Sequence, residues 1–218
     1  NIFFDYHFAQ HFFFENYHDA VIICRVTEPN EWNDIHADAN LGTVLAETAG
    51  RVHRGFKQEA DDLWPMMEKH LIDLGKTLWF TGHSLGAAMA TVCAYRCHVS
   101  NKCASPTELY TFGSPRVGNK RYVNFVKLKH YRWVNNNDIV TRVPPIWLGY
   151  RHIGIEMYLN RNGLLRTFDY ASKRLDRWHG FLRGIRKFRI DHFSDHSIHE
   201  YVNHILKAVQ KDENNTAS

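Results

Sequence analysis

Ser84 stands at the centre of Gly82-His83-Ser84-Leu85-Gly86, a match to G-x-S-x-G. A serine hydroxyl is a weak nucleophile until a neighbouring base takes its proton, so what surrounds it matters. Before it, Leu78 to Thr81 is an apolar run of strand character; after it, Ala87 to Ala94 is a small-residue helical run. Strand, sharp turn and helix in that order make a nucleophile elbow. The turn is tight enough to strain the serine backbone, and a side chain two residues to either side would clash, hence the glycines. A hydroxyl placed there stands at the carboxyl end of a strand and beside a helix N-terminus, whose free N–H groups favour developing negative charge. The plainer reading is a glycine-bounded turn with an idle serine. An acid and a histidine further along the chain decide between the two.

Asp138 follows the expected strand 130–134, where strand-end loops collect reactive groups. It could equally be a turn residue after Asn135-Asn136-Asn137. His196, after Asp195, opens the last predicted helix, with His199 as its competitor three residues on. A residue in the loop-to-helix turn reaches a cleft more easily, which favours His196. A carboxylate would fix the imidazole tautomer and steady the imidazolium. The tetrahedral oxyanion needs two donors: the amide of Leu85, and a group in the loop after an earlier strand, Arg25-Val26-Thr27, with Thr27 the candidate.

The elements that must position these groups alternate along the chain. Residues 11–15 and 20–26 read as a hairpin, the second strand continuously apolar as a central strand should be. Residues 30–51 hold a short helix at most. Phe56, Ala60, Leu63, Met67, Leu71 and Leu74 mark a helix over 55–74, in which Pro65 introduces a kink or a break. Strand 77–81, helix 84–98, strand 107–112, a helix near 120–127 and strand 130–134 come next. Tyr150 to Leu159 and Leu164 to Phe168 flank Asn160-Arg161-Asn162-Gly163 as a second hairpin. Helices are expected over 171–187 and 195–211, with a frayed polar tail over 211–218. This predicts an α/β fold, a mostly parallel central sheet with helices on both faces, in a single domain over 1–218.

Composition narrows the function. The chain has 218 residues, 44% of them hydrophobic, enough for one sizeable core. No apolar run approaches the roughly 20 residues that span a bilayer, and no signal peptide is visible in it. A net charge of +4 is too small to argue for nucleic acid. Cys24, Cys93, Cys97 and Cys103 have no zinc spacing and read as mostly free thiols. His199-Glu200-Tyr201-Val202-Asn203-His204 misses H-E-x-x-H by one residue, so no metal and no cofactor is expected.

Several stretches together resemble the class 3 lipases, the fungal-type family of α/β-hydrolases. They are Arg25-Val26-Thr27 with Trp32, Val52-His53-Arg54-Gly55-Phe56, the elbow itself, Phe112-Gly113-Ser114-Pro115-Arg116-Val117-Gly118-Asn119, Asn136-Asn137-Asp138-Ile139-Val140 with Pro144-Pro145, Tyr150-Arg151-His152-Ile153-Gly154, and Asp195-His196-Ser197. The resemblance implies a triad of Ser84, Asp138 and His196, choosing His196 over His199, and an oxyanion hole of Thr27 and Leu85. Val26 departs from the glycine the family carries at that place. It implies a serine carboxylic-ester hydrolase, foremost a triacylglycerol lipase, with feruloyl esterase and phospholipase as alternatives within the family. A non-catalytic acyl- or membrane-binding module is the alternative of another kind. The ester or lipid substrate is the implied partner, met at a lipid–water interface. The family's lid falls on residues 28–51, where Trp32, Ile35, Leu41, Val44 and Leu45 are candidate acyl-facing groups. A basic amphipathic segment over 171–189, with Trp178 among its apolar residues, reads either as a helix docked on its own core or as an interfacial one.

Overall fold

The computed structural model describes residues 2–6, 9–26, 42–165 and 196–216. Thr27, Trp32, Ile35, Leu41, Asp195 and the basic segment 171–189 lie outside the described residues.

A seven-stranded sheet organises the chain: β1 (Ile2–Tyr6), β2 (Ala9–Glu15), β3 (Asp19–Val26), β6 (Thr77–His83), β7 (Glu108–Phe112), β9 (Lys129–Asn135) and β11 (Ile155–Leu159), side by side in that order. From β3 onward neighbours run parallel; β1, β2 and β3 are antiparallel. The expected first hairpin is therefore present, extended outward by β1. On β3 and β6 alternate residues, Ala20, Ile22 and Cys24 with Leu78, Phe80 and Gly82, are buried toward one face. Two helices cover that face. α1 (Arg54–Leu71) turns Phe56, Ala60, Leu63, Met67 and Leu71 inward at helical spacing, and His53 caps it by accepting the Phe56 N–H at 3.5 Å. It runs unbroken through Pro65, which lies on its exposed side, where solvent can take the bond the missing N–H leaves open. α2 (Leu85–Val99) is buried nearly throughout, which is why it is built of small and apolar residues. The last helix, α4 (Ile198–Thr216), begins over the other face, its Tyr201 ring edge-on to Phe112 and His83. It remains helical through most of the stretch expected to fray.

A second sheet is antiparallel and has the order β10 (Tyr150–Arg151), β8 (Gly118–Asn119), β5 (Arg51–His53), β4 (Thr43–Leu45). A short helix, α3 (Lys120–Phe125), follows β8 and is capped by Asn119. This sheet corrects two expectations. The later part of 30–51 is strand, not helix, with Val44 packed on the core and Leu45 exposed. The run 150–159 is not one strand: Gly154, at φ +81 and pressed against His130, turns the chain from β10 in the small sheet to β11 in the large one. Of the second hairpin, the described residues retain the turn at Asn160–Gly163 and a single bridge, Leu159 to Leu165. All four cysteines are free thiols.

Candidate active site

The carboxyl ends of β6, β7 and β9 bring the candidate groups together. Ser84 follows β6 directly, at φ 61 and ψ −128, in the left-handed region that the elbow was expected to force on it. Its N–H donates to the Phe112 carbonyl at 2.9 Å, tying the elbow to the end of β7. A methyl built on Gly82 would strike the backbone of Gly86, and one on Gly86 the carbonyl of Cys24 on β3. Both glycines are thus required by close backbone packing.

Asp138 lies in the loop after β9 and is fully buried. A buried carboxylate must be hydrogen-bonded, and Asp138 is bonded on both oxygens. Oδ1 accepts the Val140 N–H at 2.9 Å. Oδ2 faces His196 Nδ1 at 2.9 Å and accepts the Tyr201 hydroxyl at 2.6 Å. The same hydroxyl accepts the Asn135 N–H at 2.9 Å. His196 Nε2 lies 2.8 Å from Ser84 Oγ. With Nδ1 against a carboxylate, the neutral ring carries its proton there, and Nε2 is left to accept the serine proton. His199 is exposed on the first turn of α4 and takes no part.

Two residues to which the sequence assigned no role shape this cluster. Gly113, just past β7 at φ +61, faces the acid–base pair so closely that a Cβ there would lie 2.9 Å from Asp138 Oδ2 and from His196 Cε1 and Nδ1. Tyr201, five residues after His196 on α4, holds the carboxylate. Gly113 lies in the Phe112–Asn119 stretch that carries the family resemblance, but nothing in that stretch tells what it packs against, and Tyr201 falls in none of those stretches. His83 adds a third contact: its Nε2 lies 2.7 Å from the His196 carbonyl oxygen, so Nε2 bears the hydrogen, and the two rings are 4.6 Å apart. Burial, helped by the His196 ring beside it, pushes His83 down to about 4 and keeps it neutral.

Leu85 is the first residue of α2, so its N–H is one of the four at that end without an intrahelical acceptor, and it adjoins Ser84. Thr27, its expected counterpart, lies outside the described residues. Among the described residues no group of His, Cys, Asp and Glu could hold a metal ion, and no helix is long and apolar enough to cross a membrane.

This arrangement can move a proton from a hydroxyl to an imidazole steadied by a carboxylate, beside a helix N-terminus. Comparison with known proteins shows the family. The family described as Lipase (class 3) matches residues 21–147, more than half of the chain. The chain belongs to the class 3 lipase family. A secreted mono- and diacylglycerol lipase 1 of Fusarium solani is 48% identical over 130 residues, covering 56% of this chain and 38% of that protein. The lipase of Rhizomucor miehei is 33% identical over 122 residues, covering 51% and 34%. The crystal structure of a lipase from Rhizopus microsporus var. chinensis superimposes with a TM-score of 0.61 at 27% identity, over 69% of this chain and 57% of that one. The matches thus span well under half of those curated relatives' length and somewhat more than half of the solved structure. The shared architecture is the α/β-hydrolase fold.

Proposed function

We propose that the protein hydrolyses carboxylic esters of lipids, foremost acylglycerols, through a serine nucleophile. Ser84 Oγ attacks the ester carbonyl while His196 Nε2 takes its proton. Asp138 balances the imidazolium that forms, and the Leu85 N–H, with Thr27 as second donor, receives the oxyanion. His196 then gives its proton to the leaving alkoxide, and the C–O bond breaks to leave an acyl-enzyme. Water, deprotonated by the same imidazole, attacks the acyl carbon and releases the fatty acid and the serine. One observation carries the reading: a single imidazole is engaged on both nitrogens, at 2.9 Å by the carboxylate and at 2.8 Å by the hydroxyl.

Ser84→Ala should abolish turnover of p-nitrophenyl butyrate while thermal unfolding stays cooperative. Labelling of the wild type by a fluorophosphonate, blocked in Ser84→Ala, should accompany it. A folded protein that refuses the probe would leave only the non-catalytic binding module. Within the ester class, triacylglycerol is the expected substrate. The Fusarium relative, named for mono- and diacylglycerol, favours partial glycerides as the second reading. Rates on tributyrin, dioctanoylglycerol, phosphatidylcholine and a feruloyl ester separate these and the family's other activities. We also propose that 1–218 is one domain. The lid role is the one expected of residues 28–51, a stretch whose described part includes Thr43–Leu45, paired to β5.

A further inference from the structure

An apolar turn stands beside the loop that carries Asp138. Pro144-Pro145 leads into a single 3-10 turn, Ile146–Leu148. Its side chains are 55%, 82% and 44% exposed, in order, with Trp147 the most exposed. Water is a poor solvent for three adjacent apolar side chains, so the arrangement needs a reason. The turn is also held firmly. Pro145 enters it at φ −69, Gly149 ends it at φ 86, and the Leu148 and Gly149 N–H groups donate to Pro145 and Ile146 carbonyls at 3.2 and 3.0 Å. Arg151 Nη1 donates to the Ile146 carbonyl at 2.8 Å. Behind it, the Arg116 N–H donates to the Val143 carbonyl at 2.7 Å, which joins the turn to the loop whose Gly113 faces the acid–base pair.

The surroundings are basic. Between Asp138 and Glu156 the chain has no acidic residue, whereas Arg142 and Arg151 are exposed and Arg116 half-buried around the turn. Arg116 and Arg151 rest on carbonyl oxygens of this segment, Arg142, Pro144, Ile146 and Tyr150, and Arg142 on the Asn137 amide. A Trp tip with aliphatic neighbours and guanidinium groups close by is the composition that seats in the headgroup layer of a membrane. A protein partner fits less well: a stable interface buries about 800 Å² on each side, and three side chains offer a fraction of that.

We infer that Ile146-Trp147-Leu148, with Arg116 and Arg151 bonded to its segment and Arg142 close by in the chain, is an interfacial anchor that seats the molecule on an anionic lipid surface. This rests on the proposed ester chemistry and names where that chemistry meets its substrate phase.

The test is co-sedimentation with vesicles of phosphatidylcholine, alone or with 30% phosphatidylglycerol, together with turnover. The wild type should partition onto the anionic vesicles, more weakly as salt rises. Trp147→Ala should weaken partitioning at least tenfold, and Ile146→Ser with Leu148→Ser should match it. Both variants should keep p-nitrophenyl butyrate turnover within twofold and lose turnover of an anionic lipid emulsion. Ser84→Ala should bind vesicles as the wild type does, so failure of the catalytic reading would not touch this one. Vesicle binding undiminished in both variants overturns the anchor. So does equal loss on soluble ester, which would place the turn in the substrate pocket, or a wild type that ignores both vesicles, which would leave a protein partner as the reading.

Discussion

Gly113→Ala tests whether the proton relay depends on its packing. Ordinary contact for a Cβ begins at 3.4 Å, and here one would lie 2.9 Å from Asp138 Oδ2 and from two ring atoms of His196. The pair must therefore retreat by about 0.5 Å. The ring has no slack for this, because Nε2 sits 2.8 Å from Ser84 Oγ and Nδ1 2.9 Å from the carboxylate. A misplacement of about 1 Å can cost about a hundredfold in rate, so kcat/KM on a soluble ester should fall between about tenfold and a hundredfold. The left-handed backbone adds about 1–2 kcal/mol of lost stability. Gly149→Ala separates the two effects. It carries the same backbone cost at φ 86 but meets nothing within 4 Å. Both variants should lose similar stability in urea, and only Gly113→Ala should lose activity. Turnover of Gly113→Ala within twofold of the wild type would show that the relay tolerates displacement, and the argument from packing would fail.

Tyr201→Phe removes a 2.6 Å bond to a buried carboxylate and the hydroxyl that accepts the Asn135 N–H, so urea denaturation should show a loss of about 2–4 kcal/mol; an unchanged midpoint would refute the role given to that hydroxyl. His83→Phe keeps a ring beside His196 but removes the donor to its carbonyl, and kcat on p-nitrophenyl butyrate should drop a few-fold with KM little altered; an unchanged kcat would dismiss the contact. Burial pushes His11 and His53 down to about 4 and His130 to about 3, with the His70 charge also acting on His11 and the Arg132 charge on His130. Unfolded, all three bind protons near pH 6.5, so their contribution to stability is full above that value and is lost as pH falls toward about 4, at about 1.4 kcal/mol per histidine per pH unit. Unfolding between pH 6 and 5 should take up at least two protons; a measured uptake below one would contradict the burial of these rings.

Ser84 was legible because its signal is local: strand, glycines and small-residue helix are contiguous in the chain. Asp138 and His196 were legible only in outline. Spacing left a turn residue in competition with the first and His199 with the second, and the resemblance to a family decided both. The packing roles of Tyr201 and Gly113 were not legible, although Gly113 stands in a stretch that carries the resemblance. A tyrosine on an amphipathic helix looks like core, and a loop glycine gives no sign of which side chain comes to rest against it; both roles exist only once β7, β9 and α4 converge. The small sheet escaped for another reason. Strands of two or three residues, such as Gly118–Asn119 and Tyr150–Arg151, are too short to display an alternating pattern.

The contact between Gly86 and the Cys24 carbonyl bears on how this molecule could be re-engineered. It leaves the nucleophile's turn welded to the neighbouring strand, with no room for even one added carbon. A larger side chain at Gly82 or Gly86 would collide with neighbouring backbone, so neither position is open to redesign.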